Sequence, residues 1–161
     1  MKTNHSTRMG RGLDVAGVLA RWLLGALFVY MGISKALHPV EFLKVVRQYE
    51  AVQSPFLLNL IAAALPWFEA VCGGLLLAGI AVRGSALVLL GLLVPFTGMV
   101  LHRALALHAV VPFCAIKFDC GCGGGEVFVC RKLLENALLM VLCGWLLSGR
   151  GRKFSLRYHL I

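Results

Sequence analysis

The sequence predicts an all-α integral membrane protein: a four-helix bundle in the bilayer, with its N- and C-termini in the cytoplasm. The first observation is composition, because 60% of the 161 residues are hydrophobic and only 14% are charged, whereas an average soluble domain has roughly 25% charged residues. The second is that basic residues crowd the chain ends and flank apolar runs, as orientation signals do in membrane proteins. We therefore do not interpret the net charge of +9 as a nucleic-acid-binding surface.

Four segments are long and apolar enough to cross a bilayer, whose hydrocarbon core of about 30 Å requires about 20 mostly apolar residues per helix. The short basic start before the first segment is similar to a signal peptide, but Arg21 interrupts the apolar run, and the run is too long for a signal-peptide core. We therefore expect a retained first span. The prediction is a single transmembrane domain over 1–161, with spans at about 14–37, 57–82, 84–110 and 132–149.

The distribution of Lys and Arg outside the spans predicts the orientation. Four spans leave both termini on the same side, and eight of these cations lie there, in the two tails and at Arg83. Five lie on the opposite side, in the loop after the first span and around the cysteine-rich loop. The positive-inside rule then places both termini in the cytoplasm and the cysteine loop, 112–131, outside.

The loop after the first span has the pattern of a helix that lies in the membrane interface. Over about 40–51, apolar residues recur at three- and four-residue spacings with charged residues between them, and an amphipathic segment of this kind lies at the headgroup level. Pro39 suits the first turn of this helix, and Pro55 follows its end. An ordinary surface loop is the alternative.

Four of the six cysteines lie close together in the predicted outer loop, at Cys114, Cys120, Cys122 and Cys130. Cytosolic thiols are kept reduced, whereas the bacterial envelope outside the inner membrane is oxidising. The distribution of Lys and Arg and the density of thiols therefore both place the cysteine loop outside the cytoplasm. The other two cysteines, Cys72 and Cys143, lie in apolar runs, where thiols usually behave as small buried hydrophobes.

Cys120 and Cys122 are the predicted catalytic couple. A disulfide between them closes a very small ring, and the usual Cα separation of about 4.4–6.8 Å is then reached only with a bent backbone. Gly121 permits such a bend. Strained or exposed disulfides have the more oxidising potentials found in catalytic pairs, so we interpret the Cys-Gly-Cys segment as a site of disulfide exchange.

The roles of Cys114 and Cys130 stay open, because four cysteines allow three complete pairings. Either one could resolve a mixed disulfide and so belong to the catalytic set, or the two could form a structural clamp across the loop. A zinc or iron–sulfur site that includes His102 and His108 is the main chemical alternative. The one-residue spacer of the Cys-Gly-Cys segment is shorter than the usual zinc spacing, so we predict no metal.

Three charged residues fall inside the first two predicted spans: Arg21, Lys35 and Glu69. A charge near the bilayer centre is costly unless it is paired or hydrated, so each is a candidate functional residue. One interpretation is an Arg21–Glu69 or Lys35–Glu69 pair that fixes helix packing. The other is that Glu69, beside Pro66, exchanges protons with a bound quinone, which makes the three charged residues candidates for cofactor binding.

Several of these features together resemble a known family. The matching positions are Arg21–Trp22, Gly32 to Lys35, Glu69 followed by Gly73, and Cys120 to Cys122 followed by Arg131 and Asn136. Over about 20–148 the sequence resembles the MauE branch of the DoxX-like small membrane proteins. The resemblance implies four helices, a periplasmic thioredoxin-like partner, and a role in disulfide formation during the maturation of methylamine dehydrogenase.

The residues and the resemblance lead to one hypothesis and one alternative. The hypothesis is a thiol–disulfide oxidoreductase of the bacterial inner membrane that exchanges disulfides with a periplasmic thioredoxin-like protein and is linked to quinone. The alternative is a structural accessory subunit of a larger membrane respiratory or electron-transfer complex. Gly123 and Gly124 follow the Cys-Gly-Cys segment where the family often has Phe-Gly, which bears on partner docking but not on the thiol chemistry.

Overall fold

The computed structural model describes residues 4–48, 54–108, 112–119 and 126–148, with side chains throughout except at 4–14, 118 and 119. This part of the chain is almost entirely helical. Its five α-helices are α1 Asn4–Leu37, α2 Pro39–Gln48, α3 Pro55–Ala78, α4 Val82–Leu107 and α5 Val129–Leu147. Between α4 and α5 lie a short 3₁₀ turn at Phe113–Ala115 and a two-stranded hairpin of β1 Lys117–Asp119 and β2 Glu126–Phe128.

Three of these helices are long and apolar enough to cross a membrane. The apolar segments are Val15–Leu37 within α1, Pro55–Ala78 and Val82–Leu107, and each overlaps a predicted span. Large apolar side chains such as Trp22 and Trp67 project outward and are more than half exposed, as expected of surfaces that contact lipid. The chain is a multi-pass membrane protein.

The fourth predicted span corresponds to α5, which has 19 residues and is therefore about 28 Å long at 1.5 Å per residue. That length suits a bilayer core of about 30 Å. The first two turns of α5 carry Arg131, Lys132 and Glu135, so this helix is less apolar than the other three. A fourth crossing, and with it the cytoplasmic location of both termini, stays a prediction.

Glycines bring α1 and α3 into close antiparallel contact. A Cβ atom added at Gly25 would lie 2.8 Å from the carbonyl oxygen of Gly73, and one added at Gly32 would lie 2.6 Å from the carbonyl oxygen of Pro66. Small residues allow this approach of two backbones, which is a common basis of helix packing in membranes. The two contacts also fix the axial register of α1 against α3.

The remaining long helices complete a bundle around one apolar core. α4 packs against α3 and α5, and α5 also contacts α1. All four helices contribute buried side chains to this core, which contains Leu24, Phe28, Cys72, Leu76, Ala86, Leu89, Leu93, Leu139, Cys143 and Leu146. The two cysteines that were expected to be buried hydrophobes are buried there as free thiols.

α2 is the helix predicted for the membrane interface. It spans Pro39–Gln48, and the predicted residues beyond it, 49–51, lie outside the described part of the chain. Phe42 and Val45 are its buried residues, and α2 contacts both α3 and α1. It therefore covers one end of the α1–α3 pair with its apolar face.

A tight turn joins α3 to α4. Gly79 adopts the left-handed conformation with φ 73°, and the N–H of Ile80 donates to the carbonyl oxygen of Leu75 at 2.9 Å, as at many helix C-termini. Ala81 also has a positive φ, of 46°. We call this end of the bundle the turn end, and the opposite end, which carries the hairpin, the cysteine end.

Candidate functional site

The predicted cysteine loop contains a β-hairpin. β1 and β2 are antiparallel, with Lys117 opposite Phe128 and Asp119 opposite Glu126. Directly opposed residues of antiparallel strands have Cα atoms about 4.5–5.5 Å apart, so the two ends of the connection 120–125 are held close together. Cys120 and Cys122, the predicted catalytic couple, belong to that connection and lie outside the described residues.

A disulfide bond between Cys114 and Cys130 closes the base of the hairpin. Their Cα atoms are 5.1 Å apart. Cys114 belongs to the 3₁₀ turn and is exposed, whereas Cys130 lies in the first turn of α5 and is half-buried. The N–H of Val129 also donates to the carbonyl oxygen of Ile116 at 3.0 Å. This is the pairing that the clamp hypothesis requires, and it places an accessible disulfide at the base of the hairpin.

Two cations lie near this disulfide. The ammonium of Lys117 sits 4.7 Å from the centroid of the Phe128 ring, across the hairpin. Arg131 follows Cys130 directly, and its Nε donates to Oε1 of Glu135 at 2.9 Å. Positive charge stabilises thiolates, but the Arg131 guanidinium is already paired with the Glu135 carboxylate.

The metal alternative loses two of its ligands in this arrangement, because Cys114 and Cys130 are bonded to each other. Of its two histidines, His102 is exposed on α4, and His108 packs edge-on against Phe113 with 5.8 Å between ring centroids. Among the residues that the structure describes, no three His, Cys, Asp or Glu side chains are grouped as a metal site.

Lys35 and Glu69 form an ion pair inside the bundle. The Nζ atom of Lys35 donates to both Oε1 and Oε2 of Glu69 at 2.7 Å, and both residues are buried. Lys35 also lies 5.3 Å from the centroid of the Phe42 ring, so α2 covers the pair. Of the two partners that the sequence left open for Glu69, the structure selects Lys35.

Lys132 is a site residue that the sequence analysis missed, because it was counted only as an outer-side cation at the start of the predicted fourth span. Lys132 is buried; its Nζ lies 3.8 Å from Oε2 of Glu135, and its charge also acts on Glu69. A signal was available, because the buried positions of α5 recur every three or four residues: Val129, Lys132, Asn136, Leu139, Cys143 and Leu146. Lys132 continues this stripe.

Charges of alternating sign thus run from the core to the surface at the cysteine end. We call them the outer polar series, in order Lys35, Glu69, Lys132, Glu135 and Arg131. The Arg131–Glu135 end is largely exposed, whereas the Lys35–Glu69 end is buried. The series therefore connects the disulfide region with the only carboxylate among the described side chains of α3.

Asn136 provides a polar crosslink beside this series. Its Nδ2 donates to Oγ1 of Thr97 at 3.0 Å, and that hydroxyl donates to the carbonyl oxygen of Leu93 at 2.7 Å. The sequence analysis noted Asn136 only as a position matching a family. The crosslink joins α5 to α4 two residues after Pro95, which lies inside α4.

Arg21 lies apart from the ion pair. Gly25 contacts Gly73; Arg21 is one turn from Gly25 toward the turn end, and Glu69 is one turn from Gly73 toward the cysteine end. Eight residues at 1.5 Å each separate the two levels by about 12 Å along the bundle. The structure thus brings together two of the three predicted cofactor-binding residues, Lys35 and Glu69, and leaves Arg21 elsewhere.

The comparison with known families gives one match. Residues 13–149 match the family model described as methylamine utilisation protein MauE. No curated protein and no solved structure matches the chain significantly. The matched range includes the apolar part of α1, the whole of α2 to α5, and the Cys-Gly-Cys segment. The chain therefore belongs to the MauE family of methylamine utilisation proteins.

Proposed function

We propose that the protein is a thiol–disulfide oxidoreductase of the bacterial inner membrane that exchanges disulfides with a periplasmic thioredoxin-like protein. One observation carries the proposal: the accessible Cys114–Cys130 disulfide closes a hairpin whose connection contains Cys120 and Cys122. Two dithiol couples are thereby placed on one small structural unit. The family match supports the same reading, since it places the chain in methylamine utilisation.

The proposed exchange proceeds by two thiolate attacks. A thiolate of the partner attacks one sulfur of a Cys120–Cys122 disulfide and displaces the other as a thiolate, which leaves a mixed disulfide. The second thiolate of the partner then attacks the partner's own sulfur in the mixed disulfide and displaces the cysteine of this chain as a thiolate. The partner is then a disulfide, and Cys120 and Cys122 are a dithiol. The dithiol is reoxidised by the same two steps against the Cys114–Cys130 disulfide, which accepts the two electrons.

A quinone is the proposed final electron acceptor. When bound, it takes up the two electrons and two protons that a dithiol releases on oxidation. Lys35 and Glu69 fit such a group, because the ammonium donates hydrogen bonds to oxygen and the carboxylate accepts protons, and both are buried within apolar surroundings. The outer polar series offers charged groups between this pair and the surface near the disulfide.

Thiol trapping tests the exchange. Membranes containing the full chain are treated with oxidant or reductant, free thiols are alkylated with a large maleimide, and the products are separated on a non-reducing gel. We expect the Cys122→Ser variant to accumulate a mixed disulfide with an oxidised thioredoxin-fold protein, because the Cys120 thiolate opens the partner's disulfide and no Cys122 thiol remains to resolve the new bond. The matched control is Cys72→Ser, which removes a buried core thiol and should behave as the wild type. Identical labelling under oxidant and reductant would remove the redox role.

A structural accessory subunit is the second candidate. It is favoured by the clamp-like position of the Cys114–Cys130 bond between the 3₁₀ turn and α5, together with the close glycine packing of α1 on α3. Purification from native membranes distinguishes the two candidates. A stoichiometric complex whose activity survives in the Cys120→Ser variant would support the accessory role and argue against exchange.

A further inference from the structure

Three buried hydrogen-bonding groups have no partner at the turn end of the bundle. They are Nε and Nη1 of Arg21, Oγ of Ser85 and Nε1 of Trp145, none of which contacts an acceptor in the part of the chain that the structure describes. Arg21 is only 2% exposed and Ser85 only 3%. Unpaired buried polar groups are rare in folded proteins and call for a water or ligand.

The three groups lie in one layer of the bundle although they belong to three helices. Ser85 is in the first turn of α4, and Trp145 is in the last turn of α5. Arg21 is one turn beyond the Gly25–Gly73 contact, which places it level with the end of α3. Their apolar neighbours Leu24, Ala86 and Leu146 all belong to the same core cluster.

Arg21 lies at the turn end of α1. The Gly25–Gly73 contact places its Cα level with the last turn of α3. Side chains on a helix tilt toward its N-terminus, and the N-terminal side of α1 is at the turn end. The guanidinium is therefore carried toward the level of Ser85 and Trp145, close to the depth of lipid headgroups.

This layer favours a negatively charged ligand. Arg and Trp side chains are donors only, and a buried guanidinium without a counter-charge is strongly unfavourable. The N-terminus of α4 lies at the same level and adds partial positive charge. Glu69 is about 12 Å away along the bundle by helical rise and is bonded to Lys35, so it does not neutralise Arg21.

We propose that the layer formed by Arg21, Ser85 and Trp145 binds the phosphate group of an anionic phospholipid. A phosphate offers several acceptor oxygens and a negative charge to these donors. α1 packs mainly on α3 and less extensively on α5, which leaves the α1–α5 seam as the entry. Exposed apolar residues on these two helices, such as Leu19 of α1 and Val141 of α5, suit the acyl chains, which favours a lipid over free phosphate.

Native mass spectrometry and thermal unfolding of the purified full chain test this site. The probes are phosphatidylglycerol, phosphatidylcholine and inorganic phosphate, each titrated separately.

For Arg21→Gln we expect the affinity for phosphatidylglycerol to fall at least about tenfold, the size of a lost charge-assisted hydrogen bond. Trp145→Phe keeps the ring but removes the donor, and we expect a loss of about threefold. Arg83→Gln removes an exposed cation at the same end and is the matched control, with a change below about twofold.

The outcomes separate the proposal from its competitors. A bound phosphatidylglycerol that raises the unfolding temperature of the wild type more than that of Trp145→Phe supports the site, even where Arg21→Gln fails to fold. Equal lipid retention by the wild type and both buried-site variants overturns it. Stabilisation by inorganic phosphate without lipid overturns the lipid as the occupant, and displacement of the lipid by a short-chain quinone overturns phosphate recognition. None of these measurements depends on the thiol chemistry.

Discussion

Lys35 and Glu69 are joined by two 2.7 Å hydrogen bonds from one ammonium nitrogen to both carboxylate oxygens. The pair connects α1 to α3 and lies beneath Phe42 of α2. Three elements that are separate in the sequence therefore meet around one buried charge pair. Because both charges are removed from solvent, each depends on the other for compensation, and the loss of one is more harmful than the loss of both.

Glu69→Gln alone should lower the free energy of unfolding by about 3–5 kcal/mol, because it leaves the ammonium of Lys35 buried without its counter-charge. The double variant Lys35→Met with Glu69→Gln should recover much of that loss. Denaturant unfolding in micelles measures both values. Glu41→Gln, which removes an exposed carboxylate of α2, is the control, with a change below about 1 kcal/mol. If the losses of unfolding free energy in Glu69→Gln and in Lys35→Met alone add up to the loss in the double variant, the two charges are not coupled.

Gly73→Ala should destabilise the α1–α3 contact. The added Cβ would lie 2.8 Å from the carbonyl oxygen of Gly25, so the helices must separate, at a cost of about 1–3 kcal/mol. Gly74→Ala is the matched control, because nothing lies within 4 Å of a Cβ at that position, and it should be neutral or stabilise the helix by up to about 1 kcal/mol. Equal effects of the two substitutions in the same unfolding assay would contradict close packing at Gly73.

The three helices that are long and apolar enough to cross the membrane and the burial of Cys72 and Cys143 could be predicted from the sequence, because apolar runs are local properties. The partner of Glu69 could not be predicted, since Arg21 and Lys35 lie in the same span and the choice depends on the axial register of α1 against α3. That register is set by Gly25, Gly32 and Gly73. The spacing of these glycines in the sequence does not reveal which face of α1 packs against which face of α3.

The same limit applies at the cysteine end. The sequence left the pairing of Cys114 with Cys130 open, as the clamp alternative beside a resolving role for either cysteine. The pairing of β1 with β2 brings the 3₁₀ turn to the start of α5 and so allows this bond. Lys132, the first residue of the predicted fourth span, was counted only as an outer-side cation, and its place on the buried stripe of α5 was not used. Glu135 is a local partner for it at i+3, whereas the charge of Glu69 on α3 is not visible in the local pattern.

Cys114→Ser should loosen the hairpin while leaving the helical core intact. The bond closes a loop with a sequence separation of 16, and closure of a loop of that size is worth about 3 kcal/mol. Hydrogen exchange over 112–128 should therefore increase, with little change in α3. Cys72→Ala is the control, because Cys72 is a free core cysteine and its loss should not affect the hairpin. Unchanged exchange in Cys114→Ser would mean that strand pairing alone holds this segment.

Ala81→Gly should stabilise the protein. Ala81 has a φ of 46° in the turn between α3 and α4, and the left-handed conformation costs an L-residue about 1–2 kcal/mol, a cost that glycine avoids. Part of this gain is offset by the greater freedom of glycine in the unfolded chain, so a net gain of about 0.5–1 kcal/mol is expected.

Ala63→Gly, on an exposed face within α3, is the matched control and should instead lose up to about 1 kcal/mol of stability, because the backbone at Ala63 is helical. Since both variants make the same chemical change, opposite signs in thermal unfolding isolate the backbone conformation of Ala81 as the cause, and a loss of stability in both would refute it.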